Sequence, residues 1–252
     1  VCSAPMTLRD GDPATGGCRI PDAAPILPQG AKQAPGGEVT LRYIGDPMCS
    51  WCWGISSTLE ELARYCEQKG IGFTLTMGGL RAGGGDAWGP EFREFLRREW
   101  THIAKVTGQP FGFSLLSAKH FDYDTEPACR AVVVAEQMLD QKRPVASATL
   151  AFFSAVQRKF YVEGEDPKNV DFYRSICEDA SLSFEDFRAH FATAAARQAV
   201  YRQFAQCGEW GVRAFPTLLL DLAGDLKQLS SGATTAASVI ERIEHLVGAR
   251  PD

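Results

Sequence analysis

Two short runs of the chain are built from β-branched, aromatic and aliphatic residues and end at turn residues. They are "EVTLRYI", Glu38 to Ile44, and "IGFTLTM", Ile71 to Met77, and each predicts a strand. Between them Cys52, Ile55, Leu59, Leu62 and Cys66 recur at steps of three and four, which is one face of a helix. Gly70 supplies the C-terminal cap. Strand, helix and strand within about 40 residues form a βαβ unit, whose two strands pair in parallel. From Gly78 to about Gln206 the strand pattern disappears. Helical spacing predicts helices near 90–105, 127–141, 145–160, 168–179 and 184–206, with Thr125 and Pro127 opening the second of them. In the last, Phe187, Phe191, Ala195 and Ala199 follow at i, i+4 steps. Sheet then resumes: "FPTLLLDL" and "LKQLS" flank an "AGD" turn at hairpin distance, and Gly232 ends the pair. The closing "TTAASVIERIEHLVG" is a helix with Val239, Ile240, Ile243, Leu246 and Val247 on its apolar face. The order is βαβ, a helical insert, then ββα.

Residues 1–37 have neither period. "APILPQGAKQAPGG" is rich in Pro, Gly, Ala and Gln and reads as a poorly ordered tail. The expected organisation is therefore a tail (1–37), one domain in two halves (38–79 and 207–250), and a helical subdomain (80–206) inserted between them. The 252 residues suffice for a sizeable core. A net charge of −5 gives no basic footprint for nucleic acid. No apolar run approaches the roughly 20 residues that span a bilayer, so no membrane partner is expected. The chain as given carries no signal peptide, which points to the cytoplasm. It starts at Val1, however, and a periplasmic location follows if a signal was removed before that residue.

The eight cysteines change the picture. They lie at 2, 18, 49, 52, 66, 129, 177 and 207. Only Cys49 and Cys52 are close in sequence, within "DPMCSWCWG", and random scattering would give such a pair in about one chain in four. Position adds what spacing lacks. Cys49 falls where the chain turns into the first helix, and Cys52 in its first turn. The orphan N–H groups and the dipole of a helix N-terminus favour a thiolate, so a lowered Cys49 pKa is expected. Cys52 belongs to the buried stripe, whereas Cys49 is expected to be exposed. One reactive and one shielded thiol is what dithiol exchange requires: the first attacks, the second resolves. A zinc site would need a second close pair of ligands, and His102, His120, His190 and His245 are isolated. A plain staple at 49–52 would close too short a loop to contribute much. Cys66 is about 21 Å along the helix from Cys52, beyond disulfide reach. Cys2 and Cys18, in the tail, either pair with each other or stay free, with no chemical company.

Strand, "CSWC" at a helix start, strand, helical insert and "GVRAFPTLLL" together resemble the DsbA family of thioredoxin-fold thiol:disulfide oxidoreductases. "DPMCSWCWG" with "TEPACRAVVVAEQ" is similar to its FrnE-like branch, and the likeness covers roughly residues 38–248. The resemblance implies a thioredoxin-like α/β fold with a large helical insertion. It implies a protein disulfide oxidoreductase or isomerase acting through a redox-active Cys49–Cys52 disulfide, with no cofactor or metal. Its partners would be protein or peptide thiols, with glutathione or a thioredoxin-type protein for redox exchange. It also implies that Pro216 is cis beside the cysteines and that the Phe215 backbone pairs with an extended substrate. Trp51, expected to be exposed, and Trp53, which either joins it or packs on the insert, are candidates for a lip that grips unfolded substrate. Two departures stand out. Tyr43 occupies the place, six residues before the first cysteine, where many relatives carry a buried acid; Asp46 is the nearest acid. Ser50 and Trp51 replace the histidine found between the cysteines of the strongest oxidants, which implies a less oxidising centre. Cys129, Cys177 and Cys207 read as packing, with a second disulfide among them left open. Two other functions share parts of this pattern. Kappa-class glutathione transferases and 2-hydroxychromene-2-carboxylate isomerases have the insert fold but lack the second cysteine. A peptide-binding chaperone would keep the tryptophans and need no exchange.

Overall fold

The computed structural model describes residues 11–12, 17–19, 39–139 and 145–248. The central sheet has four strands in the order β4-β3-β6-β7, formed by β3 (Val39–Gly45), β4 (Gly72–Met77), β6 (Thr217–Leu222) and β7 (Asp225–Ser231). β3 pairs in parallel with β4 and antiparallel with β6, which pairs antiparallel with β7. Leu41, Tyr43 and Ile44 are fully buried in the middle of this sheet, as a strand with neighbours on both sides requires. The β6–β7 hairpin turns at Ala223 and Gly224, both at positive φ.

Helices α1 (Ser50–Gly54) and α2 (Ser56–Lys69) follow β3, and Ile55 breaks the single helix that the spacing predicts. The apolar stripe runs through the break: Cys52, Ile55, Leu59, Leu62 and Cys66 are all buried. Gly70, at φ +65°, closes α2 in the left-handed region. Among the described residues there is no strand between Met77 and Ala214. That stretch holds α3 (Pro90–Thr107), α4 (Glu126–Met138), α5 (Val145–Arg158), α6 (Arg174–Asp179), α7 (Phe184–Phe191) and α8 (Ala194–Glu209). The expected helix over 184–206 is thus two. Thr193 is extended, and its hydroxyl accepts from the Ala196 N–H at 3.1 Å, so it caps a new helix instead of continuing the old one. The final helix, α9 (Ala236–Gly248), packs on α2 and β7 and buries Ala236, Val239 and Ile243; Ile240, Leu246 and Val247 are only partly covered.

The stretch read as a tail is not structureless throughout. β1 (Gly11–Asp12) and β2 (Gly17–Arg19) pair antiparallel, and β2 pairs antiparallel with β5 (Ala214–Phe215) in a second, small sheet. Three residues are too few for a hydrophobic period to register, so this strand exists only because an edge is available to receive it. Cys2 lies outside the described residues.

Candidate active site

The turn before α1 is built by Asp46, which is fully buried. Its backbone carbonyl accepts from the Cys49 N–H at 3.0 Å. Its carboxylate accepts from the Met48 N–H at 2.8 Å and from the Leu80 N–H at 2.7 Å, and the Cys129 thiol donates to it at 3.4 Å. Asp46 therefore ties the cysteine turn to the loop after β4. Burial raises its pKa, and the hydrogen bonds it accepts, from the Thr125 side chain and the two backbone groups, oppose that rise. From the other side the Tyr123 hydroxyl donates to the Met48 carbonyl at 2.8 Å. Gly54 lets α3 approach closely: a Cβ there would sit 3.0 Å from an Ile103 methyl.

Cys49 is the N-cap of α1, as the sequence predicts, but it is not exposed. Cys49 and Cys52 are both free thiols with no accessible surface. The Cys49 sulfur lies 3.7 Å from the Phe215 carbonyl oxygen, and β2 packs against α1 on the same side. The expected lowering of its pKa is also reversed. Burial pushes the Cys49 thiol well above its ordinary value, with the Cys18 and Cys52 thiols beside it adding to the rise. Withdrawal from water outweighs whatever a five-residue helix supplies at its tip. The Tyr43 hydroxyl is buried without a hydrogen-bond partner of ordinary geometry, and it faces Cys52. Its pKa is raised by burial first, then by Cys52 and Cys49.

The two tryptophans do not form an exposed lip. Trp51 is 2% exposed and meets the His102 ring edge-on at 5.9 Å between centroids. Trp53 is 6% exposed and donates its indole N–H to the Pro110 carbonyl at 2.9 Å, so it packs on the helical stretch. α1 packs closely against α3, which carries His102. The Phe215–Pro216 peptide bond is cis. Phe215 is fully buried, and its ring fills the space that a Cβ on Gly78 would need. A cleft of about 30 Å³ opens beside Met48 and Ser50, lined also by Cys18, Arg81, Glu99 and Tyr123. Cys66, Cys177 and Cys207 are buried free thiols pushed up to about 12 by burial, and Cys129 is buried and free as well. None of them is in a disulfide.

Sequence reasoning missed Cys18. It stands opposite Phe215 in the β2–β5 register and is 6% exposed, and its thiol adds to the rise of the Cys49 pKa. Cys18 thus has chemical company, contrary to expectation. No local signal could have found it, because its partners are some 30 and 200 residues away along the chain. Among the described residues no three His, Cys, Asp or Glu side chains gather as metal ligands, and no helix is long and apolar enough to cross a membrane.

Comparison with protein-family models gives no match, and comparison with curated proteins gives none either. Solved structures do match. A candidate protein disulfide isomerase from Nitrosomonas europaea is 28% identical with a TM-score of 0.73, covering 85% of this chain and 100% of its own. The cytosolic disulfide reductase DsbM from Pseudomonas aeruginosa is 27% identical with a TM-score of 0.66, covering 83% of this chain and 100% of its own. DsbM solved with glutathione has a TM-score of 0.64 at the same identity, covering 82% of this chain and 99% of its own.

Proposed function

We propose that this DsbA-like oxidoreductase exchanges disulfides with protein or peptide substrates through Cys49, with Cys52 as the resolving thiol. The observation that carries the reading is the convergence, in one turn at the start of α1, of two free thiols with the Phe215 carbonyl and the Tyr43 hydroxyl. The Cys49 thiolate attacks one sulfur of a substrate disulfide and forms a mixed disulfide, and the other substrate sulfur leaves as a thiolate. The Cys52 thiolate then attacks the Cys49 sulfur. The Cys49–Cys52 disulfide forms, and the substrate departs with both sulfurs reduced. Two electrons have passed from the enzyme to the substrate, and the reverse sequence oxidises a dithiol substrate. Tyr43, beside Cys52, is a positioning residue that donates to the resolving sulfur as it ionises. The edge of the Phe215 backbone that pairs with β2 would receive an extended peptide by strand addition once β2 gives way, held by main-chain bonds with little side-chain preference. Trp51 and Trp53 then act by supporting α1 and not by gripping substrate.

Glutathione is the partner we assign for restoring the dithiol; the likeness to DsbM, solved with glutathione, supports this. Reduction of substrate is the direction we favour, since Ser50 and Trp51 offer no cation to stabilise a Cys49 thiolate. The test is to equilibrate the protein in glutathione buffers of known ratio, trap the thiols with acid and alkylation, and read the 49–52 potential. A value near about −270 mV marks a reductase, and one near about −120 mV an oxidant. Cys49→Ser should abolish reduction of a peptide disulfide. Activity retained in that variant overturns the reading.

A further inference from the structure

The substrate edge of this site is already occupied by the protein itself. Antiparallel pairing sets Cys18 opposite Phe215 and Arg19 opposite Ala214, in the extended form that a bound peptide would take on the same backbone. The sulfur of Cys49 lies against the Phe215 carbonyl at 3.7 Å, so a cysteine paired with Phe215 is brought to the exchanging thiol. Cys18 is buried at 6% exposure, and β2 contacts α1 directly. The other buried cysteines differ in kind. Cys66, Cys129, Cys177 and Cys207 sit within long or well-packed helices whose apolar faces account for their burial. β2 is three residues long, pairs among the described residues with β1 and β5 only, and has little apolar surface to bury besides the Cys18 side chain.

We propose that Cys18 is a third redox thiol of this site, carried across the substrate edge by β2, and that it forms a Cys18–Cys49 disulfide which closes the site to other substrates. The proposal rests on the reading of Cys49 as the exchanging thiol. When Cys49 and Cys52 are joined, the Cys18 thiolate attacks the Cys49 sulfur, the Cys18–Cys49 bond forms, the Cys49–Cys52 bond breaks, and Cys52 leaves as a thiolate. No electrons enter or leave the protein in this step. When Cys49 instead carries glutathione, the same attack releases one molecule of reduced glutathione. The pairing of β2 with β5 and its contact with α1 hold Cys18 near Cys49. A substrate must compete with this tethered strand both for the Phe215 backbone and for the Cys49 sulfur. The high pKa of Cys49 under β2 is consistent with a resting state that is slow to react until the strand moves aside.

The test uses the full chain with Cys52→Ser, so that Cys49 has no ordinary resolver, and compares it with Cys18→Ser/Cys52→Ser. Each is treated with glutathione disulfide, quenched in acid, alkylated, digested and mapped by mass spectrometry. With Cys18 present, the expected product is a Cys18–Cys49 linked peptide and loss of the glutathione adduct. The double variant should keep glutathione on Cys49. A single variant that holds glutathione on Cys49 while Cys18 is alkylated overturns the proposal, as does a link from Cys49 to Cys2. If Cys49 takes up no glutathione in either variant, the exchange reading itself fails and this proposal fails with it.

Discussion

Asp46→Ala separates the architecture of the site from its chemistry. In the native protein the carboxylate accepts from two backbone N–H groups, those of Met48 and Leu80, and all three residues are buried. Alanine leaves both donors without a partner. Each such group costs about 1–3 kcal/mol, so the gross loss is about 2–6 kcal/mol. Part is offset, because burial of the carboxylate is itself unfavourable, as its raised pKa records. We therefore expect a net loss of about 2–3 kcal/mol, or about 30- to 150-fold in the folded-to-unfolded ratio. The pH dependence has a defined sign. The folded pKa lies above the unfolded value near about 3.9, so between the two the folded chain binds more protons. Wild-type stability therefore falls as pH rises through that window and is level above it. Asp46→Ala removes this slope, so its cost should be larger near about pH 4 than at neutral pH. Urea unfolding at both pH values measures the difference. A loss below about 0.5 kcal/mol, which is the range of surface substitutions, would show that the carboxylate does not anchor the turn. A cost that grows with pH would refute the assigned direction of the shift.

Two further substitutions probe the surroundings of the cysteines. Tyr43→Phe removes a buried hydroxyl that has no ordinary partner, so stability should hold or rise by up to about 1 kcal/mol. Resolution of the mixed disulfide by Cys52 should slow, and the pH profile of that step should shift; an unchanged profile would remove Tyr43 from the exchange. Gly78→Ala drives a methyl group into the Phe215 ring and should cost about 1–3 kcal/mol. By displacing β5 it should also speed iodoacetamide labelling of Cys49, and a wild-type urea midpoint with wild-type labelling would contradict that contact.

The frame of this protein is written in local sequence. Strands of six and seven residues with turn residues at their ends, and an apolar stripe running from Cys52 to Cys66, are local features, and local sterics and periodicity suffice to specify them. The position of Cys49 at a helix start and of Phe215–Pro216 at a strand entrance was legible for the same reason. Thr193 splits a predicted helix although it too is a local signal, because Ala-rich spacing on both sides hides a cap. The remaining features depend on contacts between distant segments. Exposure at a helix tip depends on what covers it, and Cys49 and Trp51 are covered by α3, Phe215 and β2, all distant in sequence. Whether Asp46 faces the cysteines or the loop after β4 depended on where the Leu80 N–H would lie. The company of Cys18 was the least legible feature. A three-residue strand has no period of its own, and it becomes a strand only when folding brings the open edge of Phe215 within its reach.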